Sequence, residues 1–242
     1  MLVVLGLSLG RSAVYSVLSL ADKLTKEVPL AQQTTSINTS ATPERPWLDL
    51  AYQLANLVFP LMPVVLVFYL MWVWQRPHGG PFRRMGFDLR RPGFDLGVGS
   101  LGFAGIGAGG ILLYLAAREL GFNTTVAAAN LAEAWWTIPV LVLRAVMNGV
   151  LEEVVMVGYL FTRWRQAGGR TATVLVGSAL IRGAYHLYQG FGGFAGNLIM
   201  GLLFGWLYLR TKRVMPLVVV HSLLDIAAFV GYALLKPHLS WL

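Results

Sequence analysis

Apolar residues gather in long runs along this chain, and most polar residues fall between the runs. Seven runs stand out, over roughly 2–20, 48–74, 96–117, 138–161, 172–189, 194–210 and 215–235. In helical form, about 20 residues cross the roughly 30 Å hydrocarbon core of a bilayer. The pattern predicts an all-α, polytopic helical membrane protein with about seven transmembrane helices, six to eight fitting the run lengths. Arg11 interrupts the first run, so a helix lying on the membrane surface is its alternative. This run has neither the basic start nor the small-residue cleavage site of a secretory signal. The stretch LTKEVPLAQQTTSINTSATPERP after it reads as a flexible polar loop. The third run is rich in glycine (GVGSLGFAGIGAGG), and small residues allow close helix packing in lipid.

Composition strengthens this picture. The 242 residues are 56% hydrophobic and 12% charged, against roughly 25% charged in a soluble domain. One transmembrane domain over residues 1–242 fits the length. There is no cysteine, which removes disulfides, thiol nucleophiles and cysteine-ligated zinc together.

The net charge of +8 would suggest nucleic acid as a partner in a soluble protein. Here the basic residues sit in short loops, where topology explains them and no nucleic acid is expected. Arg76, Arg83, Arg84, Arg90, Arg91, Arg163, Arg165, Arg170, Arg210, Lys212 and Arg213 lie in alternate loops, hence on one side. They outnumber Lys23, Lys26, Arg45, Arg118 and Lys236 on the other side. An excess of Lys and Arg marks the cytoplasmic face. That places the N-terminus in the cytoplasm and the C-terminus outside, in a plasma (inner) membrane. Trp47, Trp72, Trp74, Trp135, Trp136 and Trp241 near segment ends suit an interfacial belt.

A few ionisable residues remain inside apolar runs: Arg11, Arg144, Glu152, Glu153, Arg182, His186, His221 and Asp225. Each is costly in lipid, so together they point to an interior functional site. Glu152 and Glu153 are adjacent, about 100° apart on a helix, so one can face a cavity while the other pairs with a neighbouring helix. Arg182 and His186 are four apart, as are His221 and Asp225, which on helices puts each pair on one face. Asp225 could orient the His221 imidazole or fix its tautomer. The competing structural reading makes the same residues buried pairs that hold helices together.

A Glu-Glu pair, a His and a His-x-x-x-Asp on successive helices resemble the CPBP family of CAAX-processing and bacteriocin-processing proteins. That family includes the type II CAAX-prenyl proteases and the Abi proteins. Its pattern is E-E-x-x-x-R, then F-x-x-x-H, then H-x-x-x-N/D, and the likeness covers about 138–235, which would be the catalytic core helices. The resemblance implies an intramembrane endopeptidase. Glu152 would be the general base that activates water, with His186 helping to hold that water. His221 and Asp225 would stabilise the oxyanion, Asp225 only when protonated. Glu153 would be a supporting carboxylate.

The sequence departs from the family pattern at two places, with Val157 for the arginine and Arg182 for the phenylalanine. Arg182 is therefore expected to supply the charge missing at Val157, to Glu153, because an unpaired buried charge is costly. No cofactor is expected. The alternative is zinc held by Glu152, His186 and His221. The expected partners are a peptide or membrane-protein substrate, prenylated or otherwise hydrophobic, and the lipid bilayer. Oligomeric state is not legible in the sequence. Two other functions compete: a non-catalytic membrane binding or scaffold protein on the same fold, and a proton-coupled transporter. The transporter lacks support from any inverted repeat.

Overall fold

A computed structural model describes residues 1–75 and 80–238. Arg76 and Trp241 lie outside the described residues, as does the side chain of Trp74. The helices are α1 (Leu2–Gly6), α2 (Leu9–Leu24), α3 (Pro46–Val58), α4 (Met62–Gln75), α5 (Gly80–Met85), α6 (Pro92–Glu119), α7 (Thr137–Glu152), α8 (Leu160–Gln166), α9 (Thr171–Ala184), α10 (Phe191–Thr211) and α11 (Met215–Leu235). Two three-residue strands, β1 (Thr34–Ser36) and β2 (Thr125–Ala127), pair in parallel.

The fold is all-α and built for a membrane. Among the described residues, Pro46–Val73, Pro92–Glu119, Phe191–Thr211 and Met215–Leu235 are long and apolar enough to cross one. Apolar side chains on their outer faces, such as Val65, Leu101, Ile111 and Leu112, are exposed, and lipid is the medium that accepts them. The other three expected spans differ from simple helices. The first is broken at Leu7–Ser8 into α1 and α2. The fourth carries Arg144, Glu152 and Glu153 and passes through a π-helical turn, Glu153–Tyr159, into α8. The fifth stops at Ala184, two residues before His186.

Close helix contacts run through small residues. α11 packs against α6 and α7, and α10 packs against α9. A Cβ on Gly99 would stand 2.3 Å from Val219, and one on Gly102 would stand 2.6 Å from Val220. Gly149 brings α7 against Ser222 of α11 in the same way. The glycine-rich third run thus lets α6 approach α11, which carries two of the expected site residues.

The 24–46 stretch is ordered, contrary to the flexible loop expected. Its strand β1 bonds to β2, and Asn38 donates to the Ala128 carbonyl at 2.9 Å. Asp49, fully buried, accepts from the Ser40 hydroxyl and the Ala41 backbone N–H, both at 2.7 Å. Arg144 reaches this cap by donating to Asn38 and Gln53. Backbone groups in a polar loop need such partners once they are covered. Trp47, Trp72 and Trp135 are exposed, as an interfacial belt requires, but Trp136 is buried in the core.

α2 belongs to the packed structure. Its Ser16 hydroxyl accepts from the Tyr188 backbone N–H, and Lys23 donates to the Tyr188 carbonyl, each at 2.7 Å. These bonds hold the turn that follows α9. At the basic end, Arg213 donates to Asp95 from Nε and Nη2 at 2.7 Å, and to the Asp88 side chain at 3.0 Å. This fork ties the start of α6 to the α10–α11 turn.

Candidate active site

Glu152 and Glu153 stand where α7 enters the π turn. A π turn fits extra chain into a helix and disturbs its regular hydrogen-bond ladder. The Met156 carbonyl within it accepts the Ser178 hydroxyl of α9 at 2.9 Å. The two carboxylates part as adjacent helical residues must. The Glu153 side chain is 0% exposed and the Glu152 side chain 12%, so the pair has a sealed side and an open side.

Arg182 of α9 and His221 of α11 build the sealed side. Arg182 Nη2 donates to Glu153 Oε1 at 2.6 Å, and His221 Nδ1 donates to the same oxygen at 2.6 Å. A carboxylate oxygen accepts, so the proton lies on Nδ1 of His221. The guanidinium also sits over the Phe204 ring, 5.2 Å from its centroid, a cation–π contact in a dry place. The partner that orients His221 is therefore Glu153, whereas the sequence offered Asp225 for that role. Asp225 Oδ2 is 3.8 Å from Nε2, beyond hydrogen-bonding distance.

The open side holds Glu152 and Asp225. The Tyr185 hydroxyl donates to Glu152 Oε2 at 2.6 Å. Arg182 Nη1 lies 3.5 Å and His221 Nε2 4.0 Å from that same oxygen. All three groups converge on Oε2, and Oε1 has no protein partner among the described residues. Asp225, with its side chain 21% exposed, accepts from Asn148 Nδ2 at 2.9 Å.

His186 does not share a helix face with Arg182. It follows the end of α9, with backbone angles of −107° and 2°, and precedes the short 187–189 turn. Its Nδ1 stays 3.0 Å from the Arg182 carbonyl. A carbonyl only accepts, so this nitrogen carries the proton and a neutral ring keeps its lone pair on Nε2. The imidazole lies tilted against the Tyr185 ring, with centroids 4.7 Å apart, and is close enough to Glu152 to interact with its charge.

Glu152, Glu153 and His221 have ligand atoms within 4.8 Å of one another, the geometry of a possible metal group. His186 is not in that group, so the zinc set named from sequence as the alternative differs from the cluster the fold makes. Arg182 already contacts both carboxylates.

Two site residues escaped the sequence reading. Tyr185 and Asn148 are uncharged, so the cost of charge in lipid gives no sign of them. Spacing was the available signal: Asn148 lies one helical turn before Glu152, and Tyr185 adjoins His186.

Residues 134–227 match the family model for type II CAAX prenyl endopeptidase Rce1-like proteins. The match spans α7 through the first half of α11, including Glu152, Glu153, Arg182, His186, His221 and Asp225. It supports the resemblance to CAAX-processing proteases drawn from the motifs. No curated protein and no solved structure matches the chain.

Proposed function

We propose that this integral membrane protein is an intramembrane endopeptidase that hydrolyses peptide bonds with water activated by Glu152. One observation carries the reading: Glu152 Oε2 is held by Tyr185 while Oε1 has no protein partner among the described residues, which suits it to take a proton from water. Positioning a carboxylate in this way is what general-base catalysis requires.

In the proposed reaction, Oε1 takes a proton from water as the water oxygen bonds to the carbonyl carbon. The carbonyl electron pair moves to its oxygen and forms an oxyanion. Collapse of the tetrahedral intermediate breaks the C–N bond, and the proton on Glu152 passes to the leaving amine. His186 Nε2 accepts a hydrogen bond from the attacking water. His221 and Asp225 face the reacting carbonyl. Glu153 and Arg182 keep His221 in place from the sealed side.

The setting of the two carboxylates supports a reaction without metal: Arg182 already contacts both Glu152 and Glu153 and brings them the positive charge that a divalent cation would otherwise supply. The substrate is a peptide or a membrane-anchored protein, and the matched family favours prenylated C-termini. The basic ends of the helices, with Arg213 among them, face the cytoplasm of a plasma (inner) membrane. Val157 stands where the resembled family has an arginine, and the Arg182–Glu153 pair supports a charge supplied from α9 instead, which favours the endopeptidase over a non-catalytic scaffold.

The test is cleavage of a panel of prenylated and unmodified hydrophobic peptides by purified protein and its Glu152→Gln variant. The expected result is products from the wild type only, with the rate unchanged by chelators. Equal products from both proteins would sink the base assignment. Activity lost on chelation and regained with zinc would sink the metal-free mechanism.

A further inference from the structure

The site has donors for Glu152 and Glu153 but lacks an obvious neutral donor for an oxyanion. The one proton that geometry fixes on His221 is on Nδ1 and points at Glu153. Asp225, as a carboxylate, only accepts. A donor that holds its hydrogens at every working pH is nonetheless present beside them, in the side-chain amide of Asn148.

Asn148 and Glu152 both lie within the regular part of α7, four residues apart. Such residues share a face, with Cβ atoms about 5–6 Å apart. That separation suits one group activating water and another holding the carbonyl oxygen under attack. Asn148 Nδ2 carries two hydrogens. One goes to Asp225 Oδ2, at 2.9 Å, and that is the only hydrogen bond this nitrogen makes among the described residues. Asn148 is half-buried, and its partner Asp225 is on the open side of the site.

We infer that Asn148 is a catalytic residue whose second Nδ2–H donates to the oxyanion, and that Asp225 positions it. The inference rests on the endopeptidase reading above. Asp225 fixes the amide rotamer by accepting one hydrogen and so aims the other. The ionised form of Asp225 is the useful one here, which removes the need for it to carry a proton.

The decisive comparison exchanges the two residues. Asn148→Asp puts a carboxylate in place of the donor, and Asn148→Ala removes the donor without adding charge. Each should lower kcat about a hundredfold, the usual effect of losing one oxyanion donor, with KM little changed. The double variant Asn148→Asp/Asp225→Asn places the amide at 225 and the carboxylate at 148. It should return kcat to within about tenfold of wild type. In an Asp225→Asn background, Asn148→Ala should cost less than about threefold, because position 225 then carries an amide donor.

Retention of activity by Asn148→Ala would overturn the assignment. So would an equal loss in both backgrounds, which a merely structural role produces. If cleavage depends on Glu152 but the exchange restores nothing, the Asn148 assignment falls and the endopeptidase reading stands. If no variant shows Glu152-dependent cleavage, both fall.

Discussion

Arg182 Nη2 and Glu153 Oε1 meet at 2.6 Å between α9 and the π turn, with side chains 1% and 0% exposed. The same guanidinium reaches Glu152, so one cation balances two carboxylates. Removing one partner from a buried pair leaves an uncompensated charge and costs about 3–5 kcal/mol. Arg182→Met should therefore lower the unfolding midpoint of the detergent-solubilised protein sharply. Arg182→Met with Glu153→Met should recover most of that stability and no activity, because His221 then loses the acceptor for Nδ1. If Arg182→Met unfolds like wild type, the pair does not hold the core. Val157→Arg in an Arg182→Phe background should recover folding in part, since Val157 lies one turn from Glu153.

Tyr185 acts on Glu152 through one hydrogen bond of 2.6 Å. A hydrogen bond to a charged group contributes about 1.5–3 kcal/mol. Tyr185→Phe should keep the ring contact with His186 and lose only that bond. The expected result is a fall in kcat of about ten- to a hundredfold, with KM and thermal stability close to wild type. A shifted pH–rate profile should accompany it, because the base loses a donor that stabilises its charged form. An unchanged profile with unchanged kcat would remove Tyr185 from the site.

Periodicity and charge made much of this legible in the sequence. The runs around α6, α10 and α11 predicted long apolar helices, because hydropathy over about 20 residues measures what lipid selects. The expense of buried charge pointed to Glu152, Glu153, Arg182, His221 and Asp225. The direction of His186 was not legible. A four-residue spacing implies one face only while the helix lasts, and α9 ends at Ala184. The Glu153–His221 bond was also hidden, since it joins residues far apart in sequence. The π turn has no periodic signature. Its order rests on tertiary bonds such as Ser178 to Met156.

The glycines of α6 separate into two groups with opposite expected responses. A Cβ at Gly99 or Gly102 would collide with Val219 or Val220 of α11, at 2.3 and 2.6 Å. Nothing stands within 4 Å of a Cβ at Gly97 or Gly109. Overpacking costs about 1–3 kcal/mol, whereas alanine stabilises an open helical site by about 0.5–1 kcal/mol relative to glycine. Gly99→Ala and Gly102→Ala should lower the unfolding midpoint, and Gly109→Ala should leave it unchanged or raise it. Activity should fall with the first two, because α11 carries His221. Equal effects at all positions would show that α6 does not rely on close approach to α11.

The Arg213 fork makes one end of the molecule sensitive to acid. Burial disfavours the charge on Asp88, but hydrogen bonds from the Arg90 backbone and from Arg213, together with their charges, outweigh it. The Asp88 carboxyl is thus held below the usual carboxylate range, and the hydrogen bond to Asp95 holds Arg213 above its ordinary value. A group with a depressed folded-state pKa stabilises the fold above its unfolded value, and loses that contribution as pH falls through the folded value. The arginine stays charged throughout, so the change comes from the acid side. The unfolding midpoint of the wild type should decline as pH falls from about 5 towards 3. Asp88→Asn should start lower at neutral pH and decline less over the same window. The difference between the two curves isolates Asp88, because every other carboxylate titrates in both proteins. Parallel curves would mean that Asp88 is solvated and contributes nothing to joining α6 with the α10–α11 turn.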